Sequence, residues 1–247
     1  MRYFCTVAYN GTQYHGWQMQ KNALSVQEVI QESLSKVLRE KVEITGSGRT
    51  DTGVHATHQV FHMDIDKKPG KDPVHKFNSI LPKDISIREI RAVKPEAHAR
   101  FDAVKRSYFY QVLRFRDPFI LDQSYLFTPE VDLEKMNEAG QILIETDDFE
   151  CFSRVKTDVN NFLCDITKAE WSFHNDLLLF HVSSNRFLRG MVRAIVGTLL
   201  DVGTGKTSLK EFRDILNSRD RTRAGRSVPA RGLYLSEVKY PKDIYLD

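Results

Sequence analysis

The sequence predicts an α+β protein with a largely antiparallel sheet. Apolar alternation and β-favouring runs recur along the chain without regular alternation with helices, which argues against a parallel βαβ design. Residues 163–173 and 177–187 are two such runs around His174-Asn175-Asp176, the pattern of a hairpin. Well-marked amphipathic helices lie between the strands rather than after each one.

Taken in order, residues 2–9 read as a strand, and Tyr9-Asn10-Gly11-Thr12 supplies turn residues before Tyr14-His15-Gly16-Trp17-Gln18. Ser25 and Glu28 form a capping-box pattern, with Leu24 and Val29 spaced as a hydrophobic staple. Val26, Val29, Ile30, Leu34, Val37 and Leu38 make the apolar stripe of that helix. Strands at 42–45 and 57–65 flank a glycine-rich stretch. Asp72-Pro73 then reads as an N-cap and first helical residue, for a short helix ending near Leu81-Pro82. Strands follow at 85–93 and 106–116, then helical spacing from Val131 to Glu145 through Leu133, Met136, Ile142 and Leu143, which Gly140 weakens. After the hairpin come an apolar helix at 189–202, a helix capped by Ser208 and Glu211, and a last strand at 233–240. The chain divides most simply into lobes 1–105 and 106–247.

Composition excludes several classes. At 247 residues the chain can bury a large core. No apolar run approaches membrane-spanning length, and the N-terminus lacks the apolar core of a signal peptide. Cys5, Cys151 and Cys164 are few, odd in number and far apart, which fits a reducing cytoplasm rather than a disulfide framework. With 36 basic against 33 acidic residues, the net charge of +3 does not announce nucleic-acid binding. Any basic surface must come from the distribution of charge.

Three stretches carry chemistry. Gly46-Ser47-Gly48-Arg49-Thr50-Asp51-Thr52-Gly53-Val54-His55-Ala56 is a loop between strands, where backbone freedom lets charged side chains face outward. By residue chemistry it is either a surface turn with a local ion pair or a carboxylate nucleophile beside a bound anion. Arg100-Phe101-Asp102-Ala103-Val104-Lys105-Arg106-Ser107-Tyr108-Phe109-Tyr110 interleaves cations with aromatics, suited to phosphate contact with base stacking or to an amphipathic strand with a solvated face. Phe187 to Leu200 is an apolar helix carrying Arg193, a cation that cannot be left unpaired there without a large cost. A fourth feature is the run Arg219, Arg221, Arg223, Arg226 and Arg231, whose concentration of charge suits phosphate contacts.

Two apparent motifs fail. His55, His58, His62 and Asp64 suggest a metal centre, the basis of a histidine-dependent metallohydrolase reading, but their spacing fits no standard zinc helix. Gly203-Thr204-Gly205-Lys206-Thr207 imitates a phosphate loop whose required first glycine would fall at Leu200. A noncatalytic RNA-binding protein is the other alternative, though no RRM signature run is present.

The first stretch resembles the G-x-G-R-T-D-x-G-V-H-A signature of the TruA family of tRNA pseudouridine synthases. The resemblance continues through H-A-R-F-D-A and R-x-Y-x-Y at 98–110, through the M-V-R-x-I-V-G-x-L motif at 191–199, through N-x-x-L-P at 78–82 and through P-x-x-G-L at 229–233. It departs at Asn10 for a usual Asp, at Cys164 where an Arg is common, and at Arg189-Gly190 for a bulkier or His-containing pair. The family implies a pseudouridine synthase fold, two α/β lobes sharing a central sheet with a basic cleft. It also implies a homodimer whose subunits build the RNA site together, with no metal or organic cofactor. The substrate implied is uridine at positions 38, 39 and 40 of the tRNA anticodon stem-loop. Carried over residue by residue, Asp51 is the nucleophile, Arg49 enters the RNA, and Tyr108 packs on the target base, with Tyr110 two residues on. Arg193 pairs with the nucleophile, keeping it ionised and aimed. Arg100 and Arg106 flank the base-binding stretch, and Arg219, Arg221, Arg223 and Arg226 contact RNA phosphates.

Overall fold

A computed structural model describes residues 1–66, 70–154 and 161–246. The chain forms two compact units, Met1–Lys105 with Tyr234–Asp247, and Arg106–Leu233. A single division at 105/106 would leave the last strand with the second lobe. Instead that strand, from Tyr234 on, belongs to the first unit.

In the first unit, β1 (Arg2–Tyr9) lies between β3 (His55–Asp64) and β4 (Ile85–Ala92), antiparallel to both. The other edge of β3 is shared. β9 (Leu233–Lys239) runs parallel beside its start, through His55↔Tyr234 and Ala56↔Leu235, and β2 (Ile44–Gly46) runs antiparallel beside its end. The pairing of β1 with β3 slips by one residue between Val7↔Gln59 and Tyr9↔Ala56, so a bulge sits just past the glycine-rich loop. Helix α1 (Val26–Leu38) starts where Ser25 accepts from Glu28 N, and buries Val26, Ile30, Ser33 and Leu34. Leu24 stays about half exposed, so the staple contributes little, and Val29, Val37 and Leu38 are only half-buried. Helix α2 (Pro73–Asn78) is capped by Asp72 and stops three residues short of Leu81.

In the second unit, β5 (Lys105–Leu113) pairs antiparallel with β8 (Leu177–Ser184), and β8 with β7 (Ile166–His174). The hairpin turn is Asn175-Asp176, with Asn175 at φ 51°, a conformation that Asn tolerates better than most residues. A short β6 (Tyr125–Leu126) runs parallel to the end of β5. Helices α3 (Leu133–Ile144), α4 (Met191–Gly203) and α5 (Leu209–Ser218) pack on one another, and α3 also lies against β7. Helix α5 carries the complete Ser208–Glu211 capping box. Gly140 belongs inside α3 rather than ending it. A Cβ at that position would come within 2.3 Å of the Ala169 carbonyl oxygen, so the glycine is what lets the helix lie on β7.

Each unit protects its terminal strand with one asparagine. Asn78 donates to Ile87 O and accepts from Ile87 N, both at 2.8 Å, on β4. Asn137 of α3 donates to Trp171 O at 3.1 Å and accepts from Trp171 N at 2.8 Å on β7. A side-chain amide thereby supplies the paired donor and acceptor that a further strand would have offered.

Candidate active site

The glycine-rich loop is fixed from below. Ser47 N donates to Val60 O at 2.7 Å, and the fully buried Gln59 takes the Ser47 hydroxyl while donating to Gly48 O at 3.1 Å. Gly46 has no side chain because the Trp17 indole lies where a Cβ would stand, 2.3 Å from it. Trp17 packs in turn on Phe61 and Tyr9, with centroids about 6 Å apart. Thr50 is held by the Tyr9 hydroxyl at 2.9 Å, and its carbonyl accepts from Trp17 N. Asp51 then opens a turn in which Val54 N donates to Asp51 O at 3.1 Å, with Gly53 at φ +77°, the positive value that a type II turn requires. A loop with this many satisfied backbone groups is a rigid mount. It carries an exposed Arg49 and a half-buried Asp51.

The histidines around the loop are structural. His55 is buried, accepts from Gly11 N through Nδ1 at 3.0 Å and stacks on Tyr234 at 4.6 Å. His62 accepts from Ala99 N through Nδ1 at 3.1 Å, and burial holds its pKa down at about 4, with Arg2 and His98 adding to the effect. The two ring nitrogens are thus committed to different backbone donors. Among the described residues no group of three His, Cys, Asp or Glu side chains is arranged to hold a metal ion.

The H-A-R-F-D segment at 98–102 is also self-bonded. Asp102 Oδ2 accepts from His98 N at 2.7 Å, and His98 Nδ1 accepts from Arg100 N at 3.1 Å. This leaves Arg100 and Phe101 displayed at the surface.

In the second unit, β5 separates the two tyrosines. Tyr110 is fully buried, donates to Pro229 O at 2.7 Å and has its hydroxyl pKa raised by burial, which makes it a core residue. Tyr108 is half-buried, set edge-on to Phe187 at 5.1 Å. The geometry therefore separates two residues that alternation alone leaves equivalent. Arg106, at the strand's start, donates to Asn185 O at 3.0 Å.

Helix α4 begins at Met191 rather than at 189, because Gly190 at φ +74° forms its N-cap. Arg193 is not sealed inside the helix's apolar surround. It is half-buried between the buried Val192 and Ala194, and its Nε donates to Val228 O at 2.7 Å. The backbone reciprocates, Val228 N donating to Arg193 O at 3.2 Å. One helical turn on, Gly225 N donates to Thr198 Oγ1 at 2.9 Å, and a Cβ at Gly197 would stand 1.9 Å from Arg226 O. Residues 225–228 thus form a strap along α4. Sequence reasoning missed it, although the small residues at 197 and 198 were its trace.

The C-terminal arginines differ in environment. Arg219 caps α5 and pairs with Asp148 at 3.0 Å. The guanidinium of Arg221 is committed to Ala224 O, Gly225 O and Ser227 Oγ, which folds the segment locally. Arg223 and Arg226 are exposed, the latter donating to the Tyr125 hydroxyl at 2.7 Å.

Asp51, Arg49 and Arg100 therefore belong to the first unit, and Arg106, Tyr108, Arg193 and the C-terminal arginines to the second. Residues 6–102 and 139–241 match the family model for tRNA pseudouridine synthases, which takes in every one of these residues except Arg106 and Tyr108. The chain is 46% identical to the tRNA pseudouridine synthase A of Porphyromonas gingivalis, over 99% of each chain. It is 45% identical to that of Bacteroides fragilis over 99% of this chain and 98% of the relative. With that of Bacillus licheniformis it shares 38% identity over 97% of this chain and 99% of the relative. With a family model covering most of the sequence and relatives aligned nearly end to end, the chain belongs to the tRNA pseudouridine synthase family.

Proposed function

We propose that this chain isomerises uridine to pseudouridine at positions 38, 39 and 40 of the tRNA anticodon stem-loop, as a cytoplasmic homodimer, with Asp51 as nucleophile. The observation that carries this reading is the eleven-residue match at 46–56, mounted on a loop whose backbone is held at both ends. The reaction breaks the C1′–N1 bond, turns the uracil and rejoins it through C5; C5 then gives up its proton and N1 takes one up, so the molecular formula is unchanged. The carboxylate of Asp51 either attacks C1′ or promotes a glycal by taking a proton from the sugar, and both routes regenerate it. The target base must first leave the stack, at a cost of a few kcal/mol. Arg49 fills the vacated space, and Tyr108 offers a stacking face and a hydroxyl for proton handling. Arg193, oriented through Val228 O, is the counter-ion of Asp51.

Arg100 and Arg106 serve the base-binding segment, and Arg219, Arg221, Arg223 and Arg226 contact phosphates. Of the last four, Arg223 and Arg226 carry the larger share, because Arg219 is paired with Asp148 and Arg221 is committed to local carbonyls. Replacing Arg223 and Arg226 together by Gln is expected to lower the log–log salt slope of tRNA binding by roughly 0.7–0.9 per lost contact, with single-turnover rates at saturating tRNA little changed.

The decisive experiment is carbodiimide primer-extension mapping on unmodified tRNA incubated with the protein. Stops at uridines 38, 39 and 40, absent with Asp51→Asn, are expected. Stops elsewhere, or none, would refute the site assignment. Sedimentation velocity, with a dimer expected, checks the subunit count.

A further inference from the structure

Four rings stand in a row in the first unit, from the core to the surface. Phe4, 3% exposed, stacks on His62 with centroids 6.4 Å apart. His62 meets His98 edge-on at 4.8 Å, and His98 contacts Phe101 at 4.3 Å with planes 35° apart. Phe101 ends the row and is 72% exposed.

The turn that presents this ring is built rather than loose. Asp102 ties both ends of it, its carboxylate accepting from His98 N and its own N–H donating to His98 O at 3.1 Å. Ala99 is bolted to the sheet from two sides, donating to His62 Nδ1 and accepting from the Tyr240 hydroxyl at 2.6 Å. Arg100, also exposed, holds its guanidinium 5.5 Å from the Phe101 ring centroid. An apolar ring held rigidly in water, with aromatic support from His98 and a guanidinium over the ring, is the chemistry that receives a nucleobase and its phosphate.

We infer that Phe101 is a stacking platform for an unpaired base of the RNA substrate, adding a fifth ring to the row, while Arg100 contacts the neighbouring phosphate. The inference rests on the reading of tRNA as substrate and adds a contact outside the reacting nucleotide. The setting favours RNA over a second protein surface, since the exposed charge beside the ring is the cation of Arg100, while the Asp102 carboxylate is turned inward to His98 N.

Phe101→Trp provides a direct probe, because Trp17 and Trp171 are only 1% and 2% exposed and contribute a buried background. Saturating tRNA is expected to quench the added exposed fluorescence. Phe101→Leu, which keeps the apolar bulk but not the π face, is expected to weaken tRNA binding on the order of 10-fold at every salt concentration, with the salt slope unchanged. Arg100→Gln is expected to weaken binding most at low salt and to lower the slope by roughly 0.7–0.9. Wild-type affinity in Phe101→Leu, or no quenching at saturating tRNA, would overturn the platform. So would a quench that follows protein concentration without tRNA, which would mark a contact between copies of the chain. Wild-type binding and pseudouridine formation are measured in parallel. If the wild type modifies tRNA while Phe101→Leu binds as tightly, the platform alone falls; if the wild type neither binds nor modifies tRNA, the functional reading falls with it.

Discussion

The two units hold the charges proposed for the active site in opposite ways. In the first, Asp51 sits in a loop, and the loop is made rigid by partners drawn from three separate stretches: Tyr9, Trp17 and Gln59. In the second, Arg193 sits in a helix, where the backbone is rigid already and only the long side chain needs guidance. A strap supplies part of that guidance, through Val228 O. A short carboxylate is aimed by fixing its backbone, whereas a guanidinium on a flexible stem is aimed by fixing its Nε. Elsewhere the units converge, each closing its terminal strand with an asparagine.

The comparison can be broken at its two charges first. Asp51→Asn keeps the size and the turn of the loop, so folding and tRNA binding should persist while single-turnover pseudouridine formation falls on the order of 10⁴-fold or more. A variant retaining most of its rate would remove Asp51 from the chemistry. Arg193→Lys is the matching test on the helix. Lysine keeps the charge but has no Nε–H to give Val228 O, so the rate should drop roughly 10²-fold with tRNA affinity held. A rate near wild type would show that charge alone suffices and that the strap does not aim it.

The asparagines test whether the convergence is energetic as well as geometric. Asn78→Ala and Asn137→Ala each strand a backbone N–H and C=O that no strand replaces. Each should lower stability by about 1–3 kcal/mol, read from urea midpoints. If one variant is neutral, its edge is satisfied by water and the likeness between the units is only formal.

The smallest effect expected is a pH dependence centred on the first unit. The folded-state pKa of His62 is depressed from 6.5 to about 4, so the unfolded chain binds a proton more readily across that interval. Its contribution is therefore complete above about pH 6.5 and is lost as pH falls toward 4, by on the order of 1–2 kcal/mol once solvent screening of the partly buried ring is allowed for. His58 and His181, also depressed by burial, act in the same direction. His62→Gln should flatten the slope of unfolding midpoint against pH over this range; an unchanged slope would assign it to other groups.

Elements whose determinants lie within a few residues were legible in advance. The helix starts at Ser25, Asp72 and Ser208 are local side-chain-to-backbone bonds, and each forms as the spacing implies. The hairpin around Asn175-Asp176 is local too. The motif residues could be picked out because the chemistry needs particular side chains in a fixed order. Strand ends were less legible: β3 begins at His55 rather than at 57 because β9, almost 180 residues away, pairs with its first two residues.

What the sequence by itself determined is the α+β class, the enzyme family and the set of charged and aromatic residues to watch, since these depend on periodicity and on residue identity. Only the tertiary structure decided which of two adjacent tyrosines is core, with Tyr110 bonded to Pro229 O and Tyr108 left half-buried. It also decided that Gly140 and Gly197 are points of close backbone approach, and that Arg221 folds its own segment while Arg223 stays exposed. The physical reason is common to all of these. A side chain's fate depends on which distant backbone arrives beside it, and a linear pattern does not encode that arrival.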